Sequence, residues 1–170
     1  MKRGMKSKRV WAAFVALTGL ALYAGNVLAT PSTGFTSTTL AKAQLGELNT
    51  KVHSVPADWH AMIQTKGLSD LYVQSNVFAP GGSSGWHTHP RPSLITVTTG
   101  TVTVYDGDDP SCTPHVYSAS GTNGFVDVGG GAVHMIRNEG SEEARTVVVQ
   151  LIPTGDPRRI DAPAPGNCSF

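Results

Sequence analysis

Glycine and proline interrupt this chain too often for helices of ordinary length to form. Leu71-Tyr-Val-Gln-Ser-Asn-Val-Phe78 runs into Ala79-Pro-Gly-Gly-Ser-Ser-Gly85, and Leu94-Ile-Thr-Val-Thr98 is parted from Thr101-Val-Thr-Val-Tyr105 by Thr99-Gly100. His115–Ser118, Gly124–Val128, Val133–Arg137 and Arg145–Ile152 are further short runs of the same kind. β-Branched residues alternating with polar ones fit a half-buried strand, and breakers at this spacing leave room for little else. The pattern predicts an all-β domain, a small sandwich or barrel. Thr99-Gly100 between two alternating runs predicts a β-hairpin. Ala79–Gly85 reads as a turn cluster. Residues 30–39 are rich in Ser and Thr and are expected to be loose. Leu40–Val52 alternates weakly and fits either an edge strand or a short helix. There is no internal repeat and no linker long enough to separate a second domain.

The first residues follow a different logic. Lys2, Arg3, Lys6, Lys8 and Arg9 form a basic segment, Val10–Ala24 is apolar, and Val27-Leu-Ala29 places small residues where a signal peptidase reads them. This is the pattern of a secretory signal peptide over residues 1–29, with one domain over residues 30–170. The apolar run falls short of the ~20 residues a membrane span requires. A secreted or periplasmic location follows, with no stable membrane span. Five of the 13 Lys+Arg lie in that leader, so the remainder carries eight against 12 acids, a net charge of −4. Such a chain lacks the clustered cations that nucleic acid or an anionic membrane would require. A small-molecule ligand or substrate is the expected partner, and a homodimer is admitted.

Cys112 and Cys168 are the two cysteines. In an exported chain an even pair reads most simply as a disulfide, worth roughly 4 kcal/mol in the chain-entropy model. The rival reading is a thiolate metal ligand. The disulfide is favoured because Cys112 lies in a Pro-flanked turn and Cys168 lies near the end of a Pro-rich tail. Asp106-Gly-Asp-Asp-Pro110 concentrates acids, but it lacks the distal glutamate of a calcium loop and reads as a strand-end Asx turn.

His87-Thr-His89 follows a glycine-rich turn. Residues i and i+2 of a strand face the same way, so both imidazoles can reach one ion, with Thr88 opposite. His134 follows Gly129-Gly-Gly131-Ala-Val, a second glycine turn delivering a histidine to a strand. His53, His60 and His115 have no such context and read as ordinary surface or core residues.

The spacing then resembles a known family. Gly81, His87, His89, position 93 and Gly100 match the first cupin motif, G-x5-H-x-H-x3–4-E-x6-G. Gly131, His134 and Asn138 match the second, G-x5-P-x-G-x2-H-x3-N, with Gly129 in the proline position and Asn123 in that of the first glycine. The resemblance spans residues 81–138. It implies a double-stranded β-helix, the jelly-roll barrel of cupins, with a divalent metal (Fe, Mn, Zn, Ni or Cu) held by His87, His89 and His134.

One residue departs from the family pattern: the usual glutamate is Ser93, and the longer spacing gives Leu94. The resemblance therefore implies a three-histidine site, with Ser93 beside the ligands rather than among them. Three neutral imidazoles leave the full charge on the ion and more open coordination positions. No general base is evident beside the triad. Arg91 is close enough in sequence to clamp a carboxylate, though an exposed loop arginine is its plainer reading. Tyr72, Gln74 and Gln150 are candidate cavity residues. The implied function is a metal-dependent enzyme of oxygenase (oxidoreductase) type acting on a small molecule; the alternative is a non-catalytic cupin that binds a small ligand or metal.

Overall fold

The structure, a computed structural model, describes residues 29–54 and 58–170. Apart from Ala29, the expected signal peptide lies outside the described residues. Among the described residues twelve strands occur in the order β1 (Thr33–Leu45), β2 (Asn49–Ser54), β3 (Trp59–Gln64), β4 (Ser69–Ser83), β5 (His87–Thr88), β6 (Ser93–Thr99), β7 (Thr101–Asp106), β8 (His115–Ser118), β9 (Gly124–Asp127), β10 (His134–Arg137), β11 (Ala144–Pro153) and β12 (Ile160–Asp161). No helix among the described residues is long and apolar enough to cross a membrane.

Ten strands form one antiparallel sheet that curls into a nearly closed jelly-roll barrel, in the order β12-β5-β10-β4-β11-β6-β9. β1 adds to the other side of β4, and β7 bridges β10 and β8. β2 and β3 form a separate hairpin that carries exposed Val52, Trp59, Met62 and Ile63.

Two apolar clusters hold the barrel together. Phe78, Val97, Val102, Val104, Ile136 and Ala144 fill its interior, with Phe35, Tyr117 and Phe125 packed against them. Trp86, Tyr105, Met135 and Ala162 form a second cluster with Cys112, Val133 and Cys168. The division follows from the pleat. Val104 and Tyr105 are consecutive on β7, as are Met135 and Ile136 on β10, so each pair sends one side chain to each face. The inner face of this ribbon meets the barrel core, while the C-terminal tail covers the outer face. That is why β7 and β10 read as continuous buried runs, whereas β6 and β11 alternate.

The tail is fixed in two ways. β12 pairs with β5, placing Ile160 opposite Thr88 and Asp161 opposite His87. Cys112 and Cys168 form the expected disulfide, with Cα atoms 5.3 Å apart.

Several local expectations need correction. β6 and β7 do not form a hairpin: β6 pairs with β9 and β11, and β7 pairs with β8 and β10. Thr99-Gly100 is a corner at which the chain changes partners. Gly100 has φ +67°, and a Cβ there would lie 2.7 Å from the Glu143 carbonyl oxygen, so the corner requires glycine. The two strands carried a hairpin's signal because each alternates, but alternation does not say which strand is the partner.

The Ser/Thr-rich stretch 30–39 is not loose. From Thr33 it is strand, held along β4 by ladder hydrogen bonds, with Phe35 4.8 Å from Phe78 between ring centroids. Leu40–Val52 resolves into the end of β1 and the start of β2, with no helix. The glycine cluster 79–85 is strand up to Ser83, with an irregular register against β1, and the chain turns only at Gly85. The Asp106–Pro110 segment does form an Asx turn: the Asp109 carboxylate accepts the Ser111 and Thr113 amides at 2.8 and 2.7 Å.

Candidate metal centre

His87 and His134 are direct cross-strand partners on β5 and β10, with ring centroids 4.3 Å apart. His89 lies just beyond β5, 4.9 Å from His87 and 5.4 Å from His134 between centroids. One ligand atom from each of the three lies within 4.8 Å of the others. The structure therefore brings together all three histidines that the motif spacing selects. His53 and His60 face each other on the exposed β2–β3 hairpin, and His115 is half exposed beside Asp106 at 3.5 Å.

The free ring nitrogens follow from hydrogen bonding. His87 Nδ1 is 2.9 Å from the Gly85 carbonyl, and His89 Nδ1 is 2.6 Å from the Arg158 carbonyl. A carbonyl only accepts, so both Nδ1 atoms carry the proton and both Nε2 lone pairs stay available. The glycine turn thus fixes one tautomer and the tail strand fixes the other. Gln150 Nε2 donates to Ser93 Oγ at 2.9 Å and packs 3.1 Å from His89 Nδ1, which completes the collar around that ring.

Burial also sets the charge. It pushes the His87 imidazole far below its ordinary range, and the neighbouring His134 and Arg159 push in the same direction. His134 is lowered to about 4, mainly by burial and against the opposing pull of Asp127. His89 is lowered by burial, with its bond to Arg158 opposing. All three are neutral near pH 7, the state in which imidazole is a ligand. Three neutral, convergent imidazoles, His87 and His134 buried and His89 half-buried, with the tautomers of His87 and His89 set by hydrogen bonds, fit a divalent transition metal.

The three rings open on a cavity inside the barrel. Phe35, Phe78, Ile95, Ile136 and Val148 provide its apolar wall, and Gln74, Asn76, Ser93 and Gln150 its polar one. Gln74 Nε2 and Asn76 Oδ1 are buried and have no partner among the described residues. Ser93 is buried and faces this cavity, as its motif position implies. Of the three candidate cavity residues, Gln74 and Gln150 line it and Tyr72 does not. Arg91 is exposed and donates to the Pro90 carbonyl beside it, away from the cavity. Its backbone has another role: Gly129, in the left-handed region at φ +66°, would clash with the Arg91 carbonyl if it carried a Cβ.

Three residues at the site were missed from sequence. Arg158 and Arg159 reach the cavity from the C-terminal tail. Arg159 donates to the Ser84 carbonyl at 2.6 Å and pairs with Asp161 at 2.6 Å. The third is Asp127. It is buried on β9, with Oδ1 3.5 Å from His134 Nδ1 and Oδ2 3.8 Å from His89 Nε2. An acid in the apolar run Phe125-Val-Asp-Val128 is a signal in itself, but its relation to the histidines depends on a register that sequence does not display.

The Cupin domain family matches residues 76–150, which include all three histidines. Barrel, histidine triad and family match agree that residues 76–150 form a cupin domain. It is similar to an oxalate oxidase solved with the substrate analogue glycolate, at 26% identity over 54% of this chain and 46% of that one, with a TM-score of 0.45. A polyketide cyclase from Streptomyces resistomycificus is 17% identical over 54% of this chain and 60% of its own, with a TM-score of 0.44. A cupin superfamily protein from Desulfitobacterium hafniense is 12% identical over 68% of this chain and 81% of its own, with a TM-score of 0.41. The chain spans about half the length of the oxalate oxidase chains it matches. No curated protein matches it.

Proposed function

We propose that this cupin binds a divalent transition metal through Nε2 of His87, His89 and His134 and acts as a metal-dependent enzyme of oxygenase type on a small organic molecule. The observation that carries the reading is the convergence of three neutral imidazoles, two buried and one half-buried, on a cavity. With three protein donors the ion keeps open positions for substrate, as catalytic sites require. A redox-active ion would supply the electron chemistry, and the chain's own residues hold and orient the substrate. The apolar wall of Phe35, Phe78 and Ile136 excludes water from the reacting centre. Gln74 and Asn76 offer hydrogen bonds to a polar group deep in the cavity, and Arg158 and Arg159 favour an acidic or oxygen-rich one. Export through the leader at residues 1–29 to a secreted or periplasmic location belongs to the same reading; the Cys112–Cys168 disulfide supports it.

Elemental analysis of protein purified from its native compartment, without chelator or affinity nickel, tests the metal. His87→Ala, His89→Ala and His134→Ala should each lose most of it, while His53→Ala and His115→Ala retain it. Oxygen uptake with thiols, diketones and phenols tests the chemistry. Metal-loaded protein that consumes no oxygen with any of them would leave a binding protein, not an oxygenase.

A further inference from the structure

We propose that Asp127 is the acidic partner of the three-histidine centre and replaces, from the neighbouring strand, the carboxylate absent at position 93. The inference rests on reading the triad as a metal site.

The register provides the first argument. Ser93 on β6 lies directly opposite Asp127 on β9. Cross-strand partners have Cβ atoms about 5 Å apart and point to the same face. A carboxylate lost at position 93 can therefore return at position 127 with little displacement across the sheet. Both residues are buried, Ser93 at 1% and Asp127 at 9% exposure.

The second argument is the state of the carboxylate. Oδ1 accepts the Gly129 amide at 3.0 Å and lies 3.5 Å from His134 Nδ1. Oδ2 is fully buried, has no hydrogen-bond donor among the described residues, and lies 3.8 Å from His89 Nε2. His134 Nδ1 is likewise buried without a hydrogen-bond partner among the described residues. Capping the turn at Gly129 occupies one oxygen only, and a serine or asparagine would do it equally well. An orphaned carboxylate oxygen in the interior is costly unless something compensates it. A cation beside His89 and His134 provides that compensation. In turn, the acid offsets the charge that three neutral imidazoles leave on a dipositive ion, and it draws His134 Nδ1 toward itself so that Nε2 faces the cavity.

The test is a Co2+ titration of the full folded domain, followed by the ligand-field bands of the ion. Asp127→Asn preserves shape and removes charge. It should weaken Co2+ binding about 10- to 100-fold, the usual cost of losing a group that orients a ligand. Asp127→Ser keeps an acceptor for the Gly129 amide and should show the same loss, so a folding defect in one variant leaves the other to decide. Asp127→Asn combined with Ser93→Glu should recover most of the affinity, because the charge returns from the opposite residue. Affinity within twofold of the parent in both single variants, with only the melting temperature of the metal-free protein lowered, would make Asp127 a turn cap and overturn the proposal. If the parent binds no Co2+, the triad is not a metal site and both readings fall together.

Discussion

The C-terminal tail makes the sharpest quantitative prediction. Replacing Cys112 and Cys168 by serine, or reducing them, releases a link between positions 56 residues apart. For a loop of that length the chain-entropy model gives about 4 kcal/mol of lost stability. At roughly 2–4 °C per kcal/mol for a domain of this size, the melting temperature should fall by about 10–15 °C. The loss should also register at the histidine triad. The tail delivers the Arg158 carbonyl that fixes His89 at 2.6 Å, and β12 pairs with the backbone of His87. Calorimetry with and without reductant measures the first effect, with alkylation and mass spectrometry reporting the thiol state. Co2+ titration of the reduced protein measures the second. A shift under about 3 °C in protein shown to be fully reduced would mean that β12 and the cluster around Trp86 hold the tail without help. Free thiols at both positions in the oxidised protein would refute the pairing itself.

Three further outcomes are expected. His134 has its folded pKa near 4, below the ~6.5 of an unfolded histidine, so the unfolded chain binds more protons in that window and His134 alone should take on the order of 3 kcal/mol from the metal-free domain as pH falls from 6.5 to 4, with His87, held lower still, adding to the loss in the same direction. Denaturant melts at several pH values check it, and a flat profile across that range would contradict the neutral state assigned to His134. Asn138→Ala should cost about 3 kcal/mol, because the Asn138 amide serves the Phe78, Ala79 and Glu142 carbonyls at 3.0, 3.2 and 2.7 Å and its oxygen accepts the Gly140 amide at 3.0 Å. Equilibrium unfolding measures that cost, and a loss under about 1 kcal/mol would mean water replaces the amide. Ser93→Glu in the parent should tighten divalent metal binding, since position 93 faces the cavity beside Gln150; unchanged affinity and an unchanged Co2+ spectrum would show that the new carboxylate points elsewhere.

What could be read from the chain was whatever spacing encodes locally. His87 and His89 are two residues apart, and a glycine turn precedes both them and His134, so the triad was visible along the sequence. The Asx turn at Asp109 was visible for the same reason. Pairing was not. Leu94–Thr98 and Thr101–Tyr105 looked like two arms of one hairpin, yet each finds its partners on strands far downstream. Asp127 escaped notice because its neighbour is Ser93, 34 positions earlier, and only the β6–β9 register joins them. Arg158 and Arg159 escaped because a Pro-rich tail gives no sign of folding back over the ribbon it covers.

The corner at Gly100 also bears on how the molecule comes to exist. Since β6 and β7 do not close on each other, no tight hairpin between them can form early and seed the rest. The central ladder joins Phe78 to Ala144 and Ser69 to Pro153, so its closure must wait until most of the chain is present. Topologies dominated by such distant pairings fold in about milliseconds to seconds rather than microseconds. His87 receives its cross-strand partner only with β10, and His89 its hydrogen-bond acceptor only with the tail. The convergence of the three imidazoles is therefore a late event, reached after the barrel has closed, and an incomplete chain would carry the histidines without the arrangement that brings them together.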